Sequence, residues 1–115
     1  MNELTQLHCS AITSDSPRLD ERDISQYLAK LPGWQIYETE GEPRLEKTFK
    51  CTDFNQALAF TNHVAGIANK EDHHPAILTE WGKVTVTWWT HKIKALHLND
   101  FIMAAKTDQL YMGVL

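Results

Sequence analysis

The chain has 115 residues, 43% of them hydrophobic and 23% charged, and a net charge of −4; this fits one globular domain of ordinary composition. An acidic balance without a clustered basic face argues against a grip on nucleic-acid phosphates. No apolar run approaches the ~20 residues that cross a bilayer, so no membrane span is expected. Cys9 and Cys51 are the two cysteines, too few for a disulfide framework or a Cys-rich zinc module. The N-terminus shows no secretory pattern, and a reduced, cytoplasmic protein is the expectation.

Residues 1–18 read as a flexible arm, because Ser10, Thr13, Ser14, Asp15, Ser16 and Pro17 form a polar stretch without periodicity. Removing such an arm should leave the fold of the domain at 19–115 intact. Asp20, Glu21 and Asp23 load a helix start with acids that complement the helix dipole. Ile24, Tyr27, Leu28 and Leu31 recur at helical spacing until Pro32-Gly33 stops the run. Two strands are predicted next, Trp34 to Glu38 and Arg44 to Lys50, joined by a turn at Gly41. Asp53 and Gln56 resemble a capping box. The helix behind them is predicted to bury Phe54, Ala57, Leu58, Thr61, Val64, Ala65 and Ala68 and to end near Lys70.

A second hairpin, Ala76 to Trp81 and Lys83 to Thr90, turns at Gly82. Val84, Val86 and Trp88 share one face, which makes Trp88 a core residue. A last helix begins near His97 or Asn99 and carries Phe101, Ile102, Ala104 and Ala105. The order α-β-β-α-β-β-α implies an α+β two-layer domain, a four-stranded antiparallel sheet with helices on one face.

Half of the six histidines, His73, His74 and His91, lie between residues 73 and 91. The first two enter the second hairpin and the third leaves it, so all three can meet at one end. Histidine titrates near working pH, and such a cluster suits proton transfer or metal binding. Adjacent histidines rarely ligate one ion together, and His73 with His91 would still need a third ligand. Trp81, Trp88 and Trp89 are candidates to stack a flat ligand. Asp100 either orients His91 or complements the dipole of the last helix.

At these residues the chain resembles the pterin-4a-carbinolamine dehydratases. The resemblance rests on His73-His74-Pro75, Trp81, Lys83-Val84, Thr90-His91 and Asp100, at intervals of 8, 10 and 9 residues from His73 to Trp81, His91 and Asp100. Leu31-Pro32-Gly33-Trp34 and Leu45-Glu46-Lys47 also fit, and the likeness covers about residues 19–110. Residues 78–89 look most like the bacterial branch associated with phenylalanine hydroxylase. The resemblance implies loss of water from 4a-hydroxytetrahydropterin to give quinonoid dihydropterin, the recycling step for aromatic amino-acid hydroxylases. The pterin is the substrate, and no metal or organic cofactor is implied.

By that resemblance His73 and His91 are the acid/base pair and His74 orients the pterin; the sequence leaves open which imidazole gives and which takes the proton. Trp81, Asp100, Asn69 and Pro75 are the expected substrate-binding residues. Asn69 stands where the family often carries glutamate, and Ala95-Leu96-His97 replaces a Gly-Leu-Thr, so Asn99 is expected to cap the last helix. The family also implies a dimer or tetramer, a hydroxylase as partner, and a second role as a dimerisation cofactor or regulator of gene expression.

Overall fold

The computed structural model describes residues 3–114. Its elements are α1 (Glu21–Leu28), β1 (Gln35–Thr39), β2 (Glu42–Lys50), α2 (Phe54–Glu71), β3 (Ala76–Glu80), β4 (Lys83–Trp88) and α3 (Leu98–Val114). Short 3-10 turns lie at Glu3–Gln6 and His91–Ile93. The strands make one antiparallel sheet ordered β1-β2-β4-β3, so β1 and β3 are its edges. This is the α+β order expected from the sequence.

Local chemistry sets the boundaries. Asp20 caps α1 by accepting from Asp23 N–H at 2.8 Å, and Asp53 caps α2 by accepting from Gln56 N–H at 2.8 Å. Gln56 reaches back to Thr52 N–H at 2.7 Å, one residue before the cap. Glu40 and Gly41, with φ of 54° and 78°, make the tight β1–β2 turn, whose twist matches that of the strands.

The core lies between the sheet and α2 and α3. Leu45, Phe49, Val84, Val86 and Trp88 alternate onto one sheet face and are at most 2% exposed. Ala57, Phe60, Val64 and Ala68 of α2 meet them. Each large side chain so buried contributes about 1.5–3 kcal/mol. Nine consecutive residues of α3, Asn99 to Thr107, are buried, which no single amphipathic face allows. This helix is covered on several sides: Tyr27 of α1 packs on Phe101 at 5.6 Å, and Leu4 joins the core at 2% exposure.

Two expectations need correction. The buried stripe of α2 is Ala57-Phe60-Val64-Ala68, whereas Phe54 and Leu58 are 45% and 44% exposed and Ala65 is exposed too. Both stripes obey helical spacing, and the sheet engages the one carrying Phe60. The segment read as a flexible arm is also tied to the domain at several points between residues 3 and 12. Lys106 Nζ donates to the Thr5 carbonyl at 3.1 Å, and Ser10 bonds to Asn99 through both its main-chain groups. Its anchors are tertiary hydrogen bonds and one leucine, which leave no periodicity to read. Met1 and Asn2 of that segment lie outside the described residues, as does Leu115.

Candidate active site

The site grows from two chain reversals at one end of the β3–β4 hairpin. At the end of α2, Asp72 adopts a left-handed conformation, φ 53° and ψ 44°. That bend turns His73 inward, with its N–H on the Ala68 carbonyl at 3.1 Å, while His74 stays exposed. Beyond β4, Thr90 pairs with Ala95 in an isolated bridge, and the His91–Ile93 turn projects between them. Buried Ile93, 4% exposed, pins that turn.

His73 is 7% exposed and stacks on Trp88, with centroids 6.0 Å apart and planes 12° from parallel. Its Nε2–H donates to Asp100 Oδ1 at 2.7 Å. Asp100 Oδ2 accepts from Thr90 Oγ1 at 2.8 Å and from His97 N–H at 3.0 Å. A carboxylate accepts only, so His73 carries its proton on Nε2 and keeps Nδ1 for the cleft. His91 is held in the same manner by a different acid: its Nδ1–H donates to Glu42 Oε1 at 2.9 Å, leaving Nε2 free. Glu42 is 7% exposed, at the start of β2. His74 Nε2 bonds to Asn69 Oδ1 at 3.0 Å, so a side-chain amide fixes that ring.

Around these groups lies a cleft of about 530 Å³, within the usual range for a small-molecule site. His73, His74 and His91 all line it, with Trp89 and Thr90. Arg44 sits over the Trp89 ring at 4.0 Å.

Asp100 serves His73 rather than His91, and it does so from within a capping arrangement. His97 is the N-cap of α3: its Nδ1 accepts from Asn99 N–H at 2.9 Å while Asp100 returns a carboxylate to His97 N–H. Asn99, expected as the cap, instead spends its amide on Ser10. Trp81 does not reach the cleft. It is 74% exposed in the β3–β4 turn, and the five residues of β3 set it roughly 17 Å from the histidine end. Pro75 leads from His74 into β3 and, like Asn69, is not part of the cleft wall. Sequence reasoning missed Glu42, Glu71 and residues 9–12, because a carboxylate at a strand start or helix end carries no local signature of its tertiary partner.

The sequence profile of the family described as Pterin 4 alpha carbinolamine dehydratase matches residues 17–110, which includes each of these histidines. The chain belongs to that family. A protein of Microcystis aeruginosa that carries the name pterin-4-alpha-carbinolamine dehydratase is 53% identical over 111 residues, 96% of each chain. Among solved structures, a transcriptional coactivator/pterin dehydratase from Brucella melitensis superposes with a TM-score of 0.73 at 33% identity, covering 82% of this chain and 98% of that one. A pterin dehydratase-like protein described as a RuBisCO assembly factor of the alpha-carboxysome gives a TM-score of 0.59 at 24% identity. It covers 69% of this chain and 89% of its own, and shows a shared fold.

Proposed function

We propose that this protein is a hydro-lyase that removes water from 4a-hydroxytetrahydrobiopterin, giving quinonoid dihydropterin and so returning the pterin of aromatic amino-acid hydroxylases, as in phenylalanine catabolism, to its reductase. The observation that carries this reading is the pair of imidazoles, each tied by one nitrogen to a buried acid and each lining one cleft. Elimination needs a proton taken from N5 and a proton given to the departing C4a hydroxyl. His73 and His91 come from separate segments and can flank a flat ring. Their outer nitrogens, Nδ1 of His73 and Nε2 of His91, are the atoms that exchange those protons, a contribution of ~10²–10⁴-fold for each such group. His74, held by Asn69, orients the ring. One outer nitrogen enters protonated and gives that proton to the departing hydroxyl, while the other enters bare and takes the proton from N5, so the protons balance and the pterin enters as substrate. The test is a stopped assay with chemically generated 4a-hydroxytetrahydropterin, following quinonoid absorbance with and without the protein. Product formation at the uncatalysed rate would end this reading.

The same reading places the protein in the cytoplasm, which its two free thiols, Cys9 and Cys51, support. Among the described residues no helix is long and apolar enough to cross a membrane. Self-association, as a dimer or tetramer, belongs to it as well. Phe54, Leu58, Leu78 and Trp81 are 44–74% exposed, and β3, which carries Leu78, is an open sheet edge. Sedimentation at micromolar concentration should give at least a dimer. The Brucella relative is described as a transcriptional coactivator as well as a pterin dehydratase, and a hydroxylase or a transcription factor is a further partner that belongs to this proposal.

A further inference from the structure

Residues 9–12 precede the stretch matched by the family profile, which begins at residue 17, yet they line the histidine cleft. Several elements hold them in place. Glu71, at the end of α2, accepts from Cys9 N–H at 2.8 Å and pairs with His8 Nδ1 at 2.8 Å. Asn99 of α3 accepts from Ser10 N–H at 3.0 Å and donates to the Ser10 carbonyl at 2.8 Å. Lys92, in the turn that carries His91, donates to the Ile12 carbonyl at 3.3 Å. Farther back, Leu4 is sunk in the core. The segment is therefore fixed against both the His73–His74 loop and the His91 turn.

We propose that residues 9–12 are a substrate-binding wall, in which Ala11 and Ile12 contact the pterin and set its affinity while the histidines carry the elimination; this rests on the dehydratase reading above. The residue types suit that division. Burial pushes the Cys9 thiol up to about 12, so it stays neutral and offers neither a nucleophile nor a proton at working pH. Ile12 is half-buried and presents an apolar side chain. The Ala11 N–H and carbonyl have no hydrogen-bond partner among the described residues. A pterin carries alternating donors and acceptors on its pyrimidine edge, and a free peptide group beside an apolar side chain suits such a ring. Because the ties are already made, the wall is ordered before substrate arrives, which favours binding.

The experiment replaces Ser10, Ala11 and Ile12 together with glycine, leaving the Leu4 anchor, Glu71 and every histidine unchanged. KM for 4a-hydroxytetrahydropterin should rise about tenfold with kcat within about twofold. An unchanged KM in a folded variant overturns the proposal. Should the triple variant fail to fold, hydrogen exchange on the intact chain decides the matter, with 7,8-dihydrobiopterin as the probe. Slower exchange at the Ala11 and Ile12 amides supports the wall. Protection confined to residues 72–74 and 90–92 overturns it and leaves the dehydratase reading standing, whereas no protection anywhere counts against both.

Discussion

Asp100 is wholly buried and holds His73 Nε2 at 2.7 Å, across 27 residues of sequence. Its other oxygen takes Thr90 and His97, so one carboxylate ties the His73 ring, the strand exit and the start of α3 together. In Asp100→Asn the new amide would set N–H against N–H or O–H at one of these contacts. Leaving a buried donor unpaired should lower stability by about 2–4 kcal/mol, and turnover should fall as His73 loses its fixed tautomer. Urea denaturation and steady-state kinetics check both; an unaltered midpoint would show that the charge is dispensable.

Glu42 acts on His91 from outside the cleft wall, so its removal should separate binding from chemistry. In Glu42→Gln the amide can offer its NH₂ to His91 Nδ1 and favour the wrong tautomer. The expected result is a roughly 10- to 100-fold lower kcat, short of the ~10²–10⁴ of a deleted acid/base group. KM should stay within about twofold. A changed KM with normal kcat would make Glu42 a structural residue only.

The proposed acid/base pair predicts non-additivity. His73→Ala and His91→Ala should each reduce kcat by ~10²-fold or more. The double variant should lose much less than the product of the two, since residues acting as a unit do not add. His74→Ala should raise KM more than it lowers kcat. Wild-type turnover in all three folded single variants would remove the histidines from the mechanism.

Acid should destabilise the fold through His97. Burial holds this imidazole below its ordinary range, and its Nδ1 already accepts from Asn99 N–H. The unfolded chain therefore binds a proton that the native state refuses. The contribution is complete above the unfolded value of about 6.5 and is lost as pH falls below it. Glu71 acts in the same sense in a more acid window. Its burial favours the neutral acid, but the Cys9 N–H, His8 and Lys106 outweigh that and hold the carboxyl below its ordinary range. Its contribution is present above the unfolded value of about 4.3 and lost on further acidification. Tm measured at pH 7.5 and 5.5 should drop, and His97→Asn, which keeps a capping oxygen, should flatten that dependence.

Much of this was legible in the chain. Alternation in Val84, Val86 and Trp88 and the acids at Asp20 and Asp53 are local signals, and they placed the strands, the helices and the end of the hairpin where His73, His74 and His91 gather. The register of α2 was not, because Phe54-Leu58 and Phe60-Val64 are both apolar pairs at helical spacing and only the sheet chooses between them. Trp81 was assigned to the cleft on the family's motif, whereas the length of β3 carries it to the far end of the hairpin. Glu42 and Glu71 meet their partners 49 and 62 residues away. Such pairs belong to tertiary structure, and no spacing announces them.

The cleft draws its walls from residues 9–12, 71–74 and 89–92, stretches that a growing or refolding chain brings together only after closing long loops. The β3–β4 hairpin can pair early, from neighbours in sequence, without creating any place for a ligand. Recovery of turnover after dilution from denaturant should therefore lag behind the far-ultraviolet signal, and a chain halted short of its final packing would hold most of its secondary structure and no catalysis. Activity, in this molecule, is a late reporter of the native state.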